Sequence, residues 1–225
     1  MHEILIEEKI LARNNEIAAA NRQALSERGI YAVNLVSSPG AGKTSLIESM
    51  TRHLKDQSIS FAVVEGDLEG DFDAKRVEKH GVPALQITTG RACHLDAHLI
   101  EHSLPWVLKH EGLKLLIIEN VGNMVCPAEY DLGEDSMITV MSTAEGDDKP
   151  LKYPAIFAAS EVLVINKTDL APYTDFDIRK ARENALKVNP YLKIFEASCR
   201  TGDGVKEFAA YIAKLAITKR SLKNT

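Results

Sequence analysis

A chain of 225 residues, 45% hydrophobic and 26% charged, has the size and make-up of one ordinary soluble α/β domain able to bury a full core. A formal net charge of -5 argues against nucleic acid as the main partner, and no apolar run approaches the ~20 residues of a membrane span. Cys93, Cys126 and Cys199 are too few for a disulfide framework, and the opening Met1-His2-Glu3 lacks a signal peptide's basic-then-apolar pattern, so the cytoplasm is the expected compartment.

Residues 4–28 place Ile4, Leu5, Leu11, Ile17, Ala18 and Leu25 at helical spacing before a stop at Gly29, and this helix is expected to pack outside a sheet. Val33-Asn34-Leu35-Val36 reads as a strand, followed by a small-residue loop and a helix over 43–57. A second strand at 59–65 ends in Glu65-Gly66-Asp67; a short helix at 71–80 and a strand at 84–88 follow. Residues 90–102 read as a loop entering a helix. The runs 113–119, 136–142 and 162–166 are strands of the kind parallel sheets bury on both faces, and 193–197 adds a last one. Helices at 152–159, 175–188 and 204–218 alternate with them. The pattern predicts a doubly wound, mostly parallel sheet flanked by helices, with 1–225 a single domain and 1–29 packed on it. Its ligand belongs at the C-terminal edge of the strands.

The loop Ser37-Ser38-Pro39-Gly40-Ala41-Gly42-Lys43-Thr44-Ser45 stands between strand and helix, the setting of a phosphate-binding P-loop. Gly40 and Gly42 allow the backbone N–H groups of Ser38 to Ser45 to turn inward on an anion. Lys43 brings a charge to the β- and γ-phosphates, Thr44 a hydroxyl to Mg²⁺, and the helix its positive end. Ser37 replaces the first glycine of the usual pattern, a position that tolerates a small residue. A nucleoside triphosphate is the expected ligand.

The strand at 162–165 delivers Asn166-Lys167-Thr168-Asp169 to the same edge. Asp169 can accept from N1–H and the exocyclic amine of guanine, which adenine does not offer, and two such bonds at ~1.5–3 kcal/mol each favour GTP strongly. Lys167 would lie along the base, and Asn166 would tie this loop to the P-loop. The Ser198-Cys199 loop is expected to contact the base through its backbone. Glu119, ending a buried strand, and Asp67 are the carboxylates expected on the Mg²⁺ side and, with Lys43, in hydrolysis. Gly122 can donate its N–H to the γ-phosphate. Asp71 and Asp73 can act on the attacking water but read more simply as first-turn helix acids. No glutamine follows Gly122 in a water-positioning place, so turnover of GTP to GDP is expected to be slow.

Cys93 and His94 are adjacent at a loop-to-helix entry, and Cys126 lies just past Gly122. Two thiolates and an imidazole suit zinc or nickel, not magnesium or calcium. Three ligands leave a fourth place for water or another protomer. Taken singly, each cysteine is more often a buried core residue than a ligand; taken jointly, metal binding and core packing stand about even, and both readings stay open. His98 and His102 continue His94 along a helix and read as a solvated face.

Taken together these residues resemble the hydrogenase nickel-incorporation GTPases, the HypB family, from about Asn34 to Gly204. The resemblance rests on Ser38 to Thr44, Glu65-Gly66-Asp67, Cys93-His94, Glu119-Asn120-Val121-Gly122-Asn123 with Cys126-Pro127, Asn166 to Asp169, and the charged segment Glu145 to Pro154. It implies a dimerising P-loop GTPase whose protomers pair when GTP is bound. It implies nickel or zinc on Cys93, His94 and Cys126 at that interface, and delivery of nickel to the large subunit of a [NiFe] hydrogenase. A second nickel-binding maturation protein is an implied partner, and Lys149 and Lys152 lie where a loop can reach across the dimer. Residues 1–30 hold only His2 and no cysteine, which departs from members with a metal-rich amino terminus. A urease-type nickel inserter and a passive metal binder with a structural nucleotide are the alternatives; the former's Cys-Pro-His is here Cys126-Pro127-Ala128.

Overall fold

The computed structural model describes residues 2–70, 72–90 and 92–223, and of residues 2–7 and 223 the backbone alone. Among the described residues, seven strands form one sheet: β1 (Tyr31–Ser37), β2 (Phe61–Asp67), β3 (Ala84–Thr88), β4 (Leu115–Glu119), β5 (Ser136–Ser142), β6 (Val162–Asn166) and β7 (Lys193–Glu196). Their order is β3-β2-β4-β1-β5-β6-β7 and every pairing is parallel. The central strands β4, β5 and β6 are buried at every position, which is why their sequences run apolar without alternation.

Successive side chains serve opposite layers. Val33, Leu35, Ile117 and Val164 face α2 (Lys43–Asp56) and the long α8 (Val205–Lys223). On the other face, Ala32, Val64 and Ile118 pack under α4 (Ala97–Leu108) and Leu25 of α1 (His2–Glu27). Met141, Leu163 and Ile165 pack under α6 (Pro154–Ala159) and α7 (Ile178–Val188). Polar latches fix α1: Asn21 donates to the carbonyls of Ala97 (2.8 Å) and Leu132 (3.1 Å), and Arg22 pairs with Asp131 at 2.6 Å. Ile4 and Leu5, expected on its apolar face, have side chains outside the described residues. Among the described residues no helix is long and apolar enough to cross a membrane.

Boundaries shift for local reasons. The strand expected at 59–65 is Phe61–Asp67, because Ser58 turns with φ 57° and the Ile59 N–H closes back on the Leu54 carbonyl. The helix expected at 152–159 is two pieces, α5 (Lys149–Lys152) and α6. Pro154 forces Tyr153 out of helical geometry, to φ -124° and ψ 55°. The helix expected from 175 begins at Ile178, where the Asp177 carboxylate accepts from the N–H groups of Arg179 and Lys180. The short helix at 71–80 is α3 (Phe72–Glu78).

Candidate nucleotide and metal site

The P-loop leaves β1 at Ser37 and enters α2 at Lys43. Gly42 caps that helix at φ 101° with no side chain bonded to the first-turn N–H groups, which stay available to an anion. A Cβ on Gly42 would stand 2.5 Å from Asn166 Nδ2. Lys43 is buried and donates to Ser37 Oγ at 3.0 Å, and Lys167 Nζ donates to the Gly40 carbonyl at 2.7 Å. A cavity of about 440 Å³ opens over this loop, lined by Lys43, Thr44, Glu65, Asp67, Glu119 and Gly122 among others.

The floor of the cavity is acidic. Parallel pairing sets Glu65 beside Glu119 on adjacent strands, and the first turn of α3 adds Asp73. Oxygens of the three lie within 4.8 Å of one another. Glu119 Oε1 accepts from Thr44 Oγ1 at 2.8 Å, whereas its Oε2 and Glu65 Oε2 are buried without a hydrogen-bond partner among the described residues. Burial pushes Glu65 up to about 8, reinforced by the neighbouring Glu119. Burial pushes Glu119 up to about 7 although Lys43 pulls it down. Such an arrangement fits a hard divalent cation, which would relieve both effects.

Asp67, expected to reach Mg²⁺ directly or through water, stands outside the inner pair of Glu65 and Glu119. Asp67 lines the cavity, but its Oδ1 accepts from the N–H groups of Leu68 and Glu69 and so caps its own loop. Glu65, two residues earlier on the same face of β2, occupies the inner place. Asp73 is held by Arg76 at 2.9 Å and is both a helix acid and a member of the cluster. Asp71 lies outside the described residues.

On the base side, Asn166 Nδ2 donates to the Ala41 carbonyl at 2.9 Å, joining the two loops. Lys167 holds φ 60°, which turns the chain between Asn166 and Asp169. Asp169 Oδ1 accepts from Ser198 Oγ at 2.6 Å. A second cavity of about 430 Å³ lies among Asn166, Lys167, Asp169, Cys199 and Arg200. The Cys199 thiol, pushed up by burial, donates to Asn166 Oδ1 at 3.4 Å and is a packing residue rather than a reactive one.

Cys93, His94 and Cys126 converge. The two sulfurs lie 2.9 Å apart as thiols, and His94 Nδ1 is 3.7 Å from the Cys93 sulfur. The ligand atoms of all three fall within 4.8 Å of one another. The neighbouring Cys126 raises the Cys93 thiol. Burial lowers His94, which favours the neutral imidazole a metal ligand needs, and its ring stacks on Tyr130 at 4.0 Å. His98 and His102 face each other along α4 with Nε2 atoms 3.1 Å apart on an exposed surface, outside this triad. Lys149 folds onto its own P-loop, bonded to Ser38 and Glu145, while Lys152 turns to Asp148 at 2.7 Å.

A strand–loop–helix anion cradle at the carboxyl edge of this parallel sheet defines a P-loop nucleotide-binding protein of the α/β class. The chain belongs to the CobW/HypB/UreG family, matching its nucleotide-binding domain over residues 31–196, and within that family to HypB. It is 47% identical over 209 residues to the hydrogenase maturation factor HypB of Azotobacter vinelandii, covering 93% of this chain and 68% of that protein. It is 41% identical over 209 residues to the probable hydrogenase maturation factor HypB of Methanocaldococcus jannaschii, covering 93% and 94%. The crystal structure of HypB from Helicobacter pylori in complex with nickel superposes with a TM-score of 0.87 at 38% identity, over 92% of this chain and 97% of that one.

Proposed function

We propose that this chain is a GTP-switched metallochaperone that carries nickel or zinc and supports nickel insertion into [NiFe] hydrogenase. The observation that carries the reading is the placing of a three-ligand soft-metal cluster next to a P-loop, both touching the segment 119–126. Lys43 exchanges its bond to Ser37 for the β- and γ-phosphates, and the Gly122 N–H meets the γ-phosphate. Thr44, Glu119 and Glu65 would hold Mg²⁺, with Asp67 further out, and the ion would supply charge neutralisation to the phosphates. Asp73 faces the same cavity and is the group left to orient water, so GTP turns over slowly to GDP and phosphate. Asp169 reads guanine, Lys167 covers it, and Ser198 and Cys199 supply the far wall.

Cys93, His94 and Cys126 give nickel or zinc three ligands and leave the fourth to water or to a second protomer. GTP-dependent pairing of two copies in the cytoplasm would then present metal to a second nickel-binding maturation protein and to the hydrogenase large subunit. Membrane and nucleic acid have no part in the reading. The test is light scattering with GDP and with a non-hydrolysable GTP analogue, each with nickel or zinc, together with bound-metal analysis. Triphosphate-dependent dimerisation that changes metal stoichiometry is expected. A monomer throughout, holding metal regardless of nucleotide, would leave a passive binder.

A further inference from the structure

Asn123 stands between the two sites with both ends of its amide engaged. Its Oδ1 accepts from the Val125 N–H at 2.9 Å, and an N–H faces only an acceptor, so the orientation is set. Nδ2 is thereby turned onto the Cys93 carbonyl, to which it donates at 3.2 Å. The Asn123 backbone forms an isolated bridge with Ser37 at the start of the P-loop. The preceding residue, Gly122, lies so close that a Cβ there would be 3.0 Å from Pro39 Cα. Any movement of this loop toward or away from phosphate is therefore felt at Asn123.

A second tether on the same metal-bearing segment is of a different kind. Asn120 Oδ1 accepts from the Leu95 N–H at 3.0 Å, and Asn120 Nδ2 donates to Asn34 Oδ1 at 3.2 Å. Asn34 in turn donates to Glu134 Oε1 at 3.1 Å. Asn120 and Asn34 are fully buried, so this chain anchors Leu95, and His94 beside it, to the sheet. Cys126 moves with the phosphate-side loop because it is three residues along the same backbone. Cys93 is exposed and outside any helix or strand; untethered, it would adjust to follow an ion in either loop position.

We infer that Asn123 is a positioning residue that makes metal affinity depend on the nucleotide, by holding Cys93 to the loop that senses phosphate. This rests on the reading of the chain as a GTP-gated metal carrier. With the tether, two thiols track the loop while the imidazole stays with the sheet, so one nucleotide state grips the ion better than the other. Without it the site keeps its three ligands, Cys93 no longer tracks the loop, and the difference shrinks to the part that Cys126 carries. By linkage the same factor must appear in nucleotide affinity with and without metal.

The test uses the full chain and Asn123→Ser, whose hydroxyl can still accept from Val125 but is too short to reach Cys93. Nickel and zinc are each titrated with Mg²⁺-GDP and with a Mg²⁺-bound non-hydrolysable GTP analogue. The wild-type ratio of metal affinities is expected to be about fivefold or more, and the variant's to fall at least about twofold below the wild type's with its GDP-state affinity nearly unchanged. Asn123→Asp keeps the turn and sets an acceptor against the Cys93 carbonyl; it should lower the ratio likewise, and guards against a folding defect peculiar to serine. A variant ratio equal to the wild type's overturns the inference. So does loss of metal binding in both nucleotide states, which would make Asn123 part of the site's assembly. A wild-type ratio of one removes the gated-carrier reading itself, and is seen without any variant.

Discussion

The nucleotide and metal sites share the segment 119–126 yet are built on opposite plans. On the nucleotide side Lys43, Thr44, Glu119 and Asn166 are buried at the ends of strands or the start of a helix. Each already has a protein partner: Ser37 for Lys43, Thr44 and Glu119 for each other, Ala41 for Asn166. That cradle is set before any ligand arrives, as electrostatic stabilisation of a phosphoryl transfer requires. On the metal side Cys93 is exposed, His94 and Cys126 half-buried, and Cys126 belongs to a single 3-10 turn, Cys126–Ala128. The three ligands do not close a tetrahedron. A closed zinc site holds its ion for structure, whereas an open one can pass it on. One side is set before a ligand arrives, and the other is left open to exchange.

The sharpest way to break the comparison is to damage one side and look for an effect on the other. Cys126→Ala should weaken nickel and zinc binding by about 100-fold or more, beyond what loss of an outer-shell partner costs. The thermal midpoint and GTP affinity should be unchanged, because the removed sulfur is half-buried and packs no core. Calorimetric titration with each metal and with GDP measures both. Retention of metal at full affinity would mean that the thiol pair is not the site. In the other direction, Asp169→Asn should weaken GTP by about 10- to 100-fold and shift preference toward xanthine nucleotides, since a charge-assisted bond contributes ~1.5–3 kcal/mol. Metal affinity without nucleotide should stay as it was, and competition binding with GTP and XTP decides the matter.

The parallel sheet and the cradle were legible because their signals are local. Unbroken β-branched runs mark buried strands, and two glycines before Lys43-Thr44 mark a loop closed on an anion. The distinction between Glu65 and Asp67 was not legible. Residues two apart on a strand share a face, and only the course of β2 beyond its pairing with β4 shows that Asp67 turns back on its own loop. Asn123 carries no signal of its own; an asparagine after a glycine reads as a turn until the Cys93 carbonyl is found opposite it. The break at Tyr153 was written in Pro154 but is masked by helix formers on both sides. A smaller effect probes the fixed side. Gly42→Ala should cost ~1–3 kcal/mol, the range for a residue held in unfavourable backbone geometry. Its Cβ would press on Asn166 at 2.5 Å and part the P-loop from the loop that follows β6. A fall of several degrees in melting temperature with weakened GTP binding is expected. An unperturbed variant would show that the cradle is less rigid than its packing implies.

The mildest prediction concerns the carboxylates under the P-loop. Burial raises Glu65 from 4.5 to about 8 and Glu119 from 4.5 to about 7 in the protein without a cation. The folded state then binds more protons than the unfolded state across that interval, so stability falls as the pH rises. The contribution is complete below the unfolded value of 4.5 and is lost as the pH passes through the folded values of about 7 and about 8. Melting temperature measured without metal or nucleotide should therefore decline from about pH 6 to about pH 9, and Glu65→Gln should flatten the decline by a few degrees. Mg²⁺ affinity in the presence of GTP should move oppositely, tightening over the same range as protons cease to compete for the same oxygens. The metal triad supplies the contrast. Cys126 holds the Cys93 thiol above its ordinary value, so it stays protonated through most of this range, and Cys93→Ser should leave the slope of melting temperature against pH untouched. A slope that followed Cys93 rather than Glu65 would place the unrelieved charge on the cysteine side and reverse the division between the two sites.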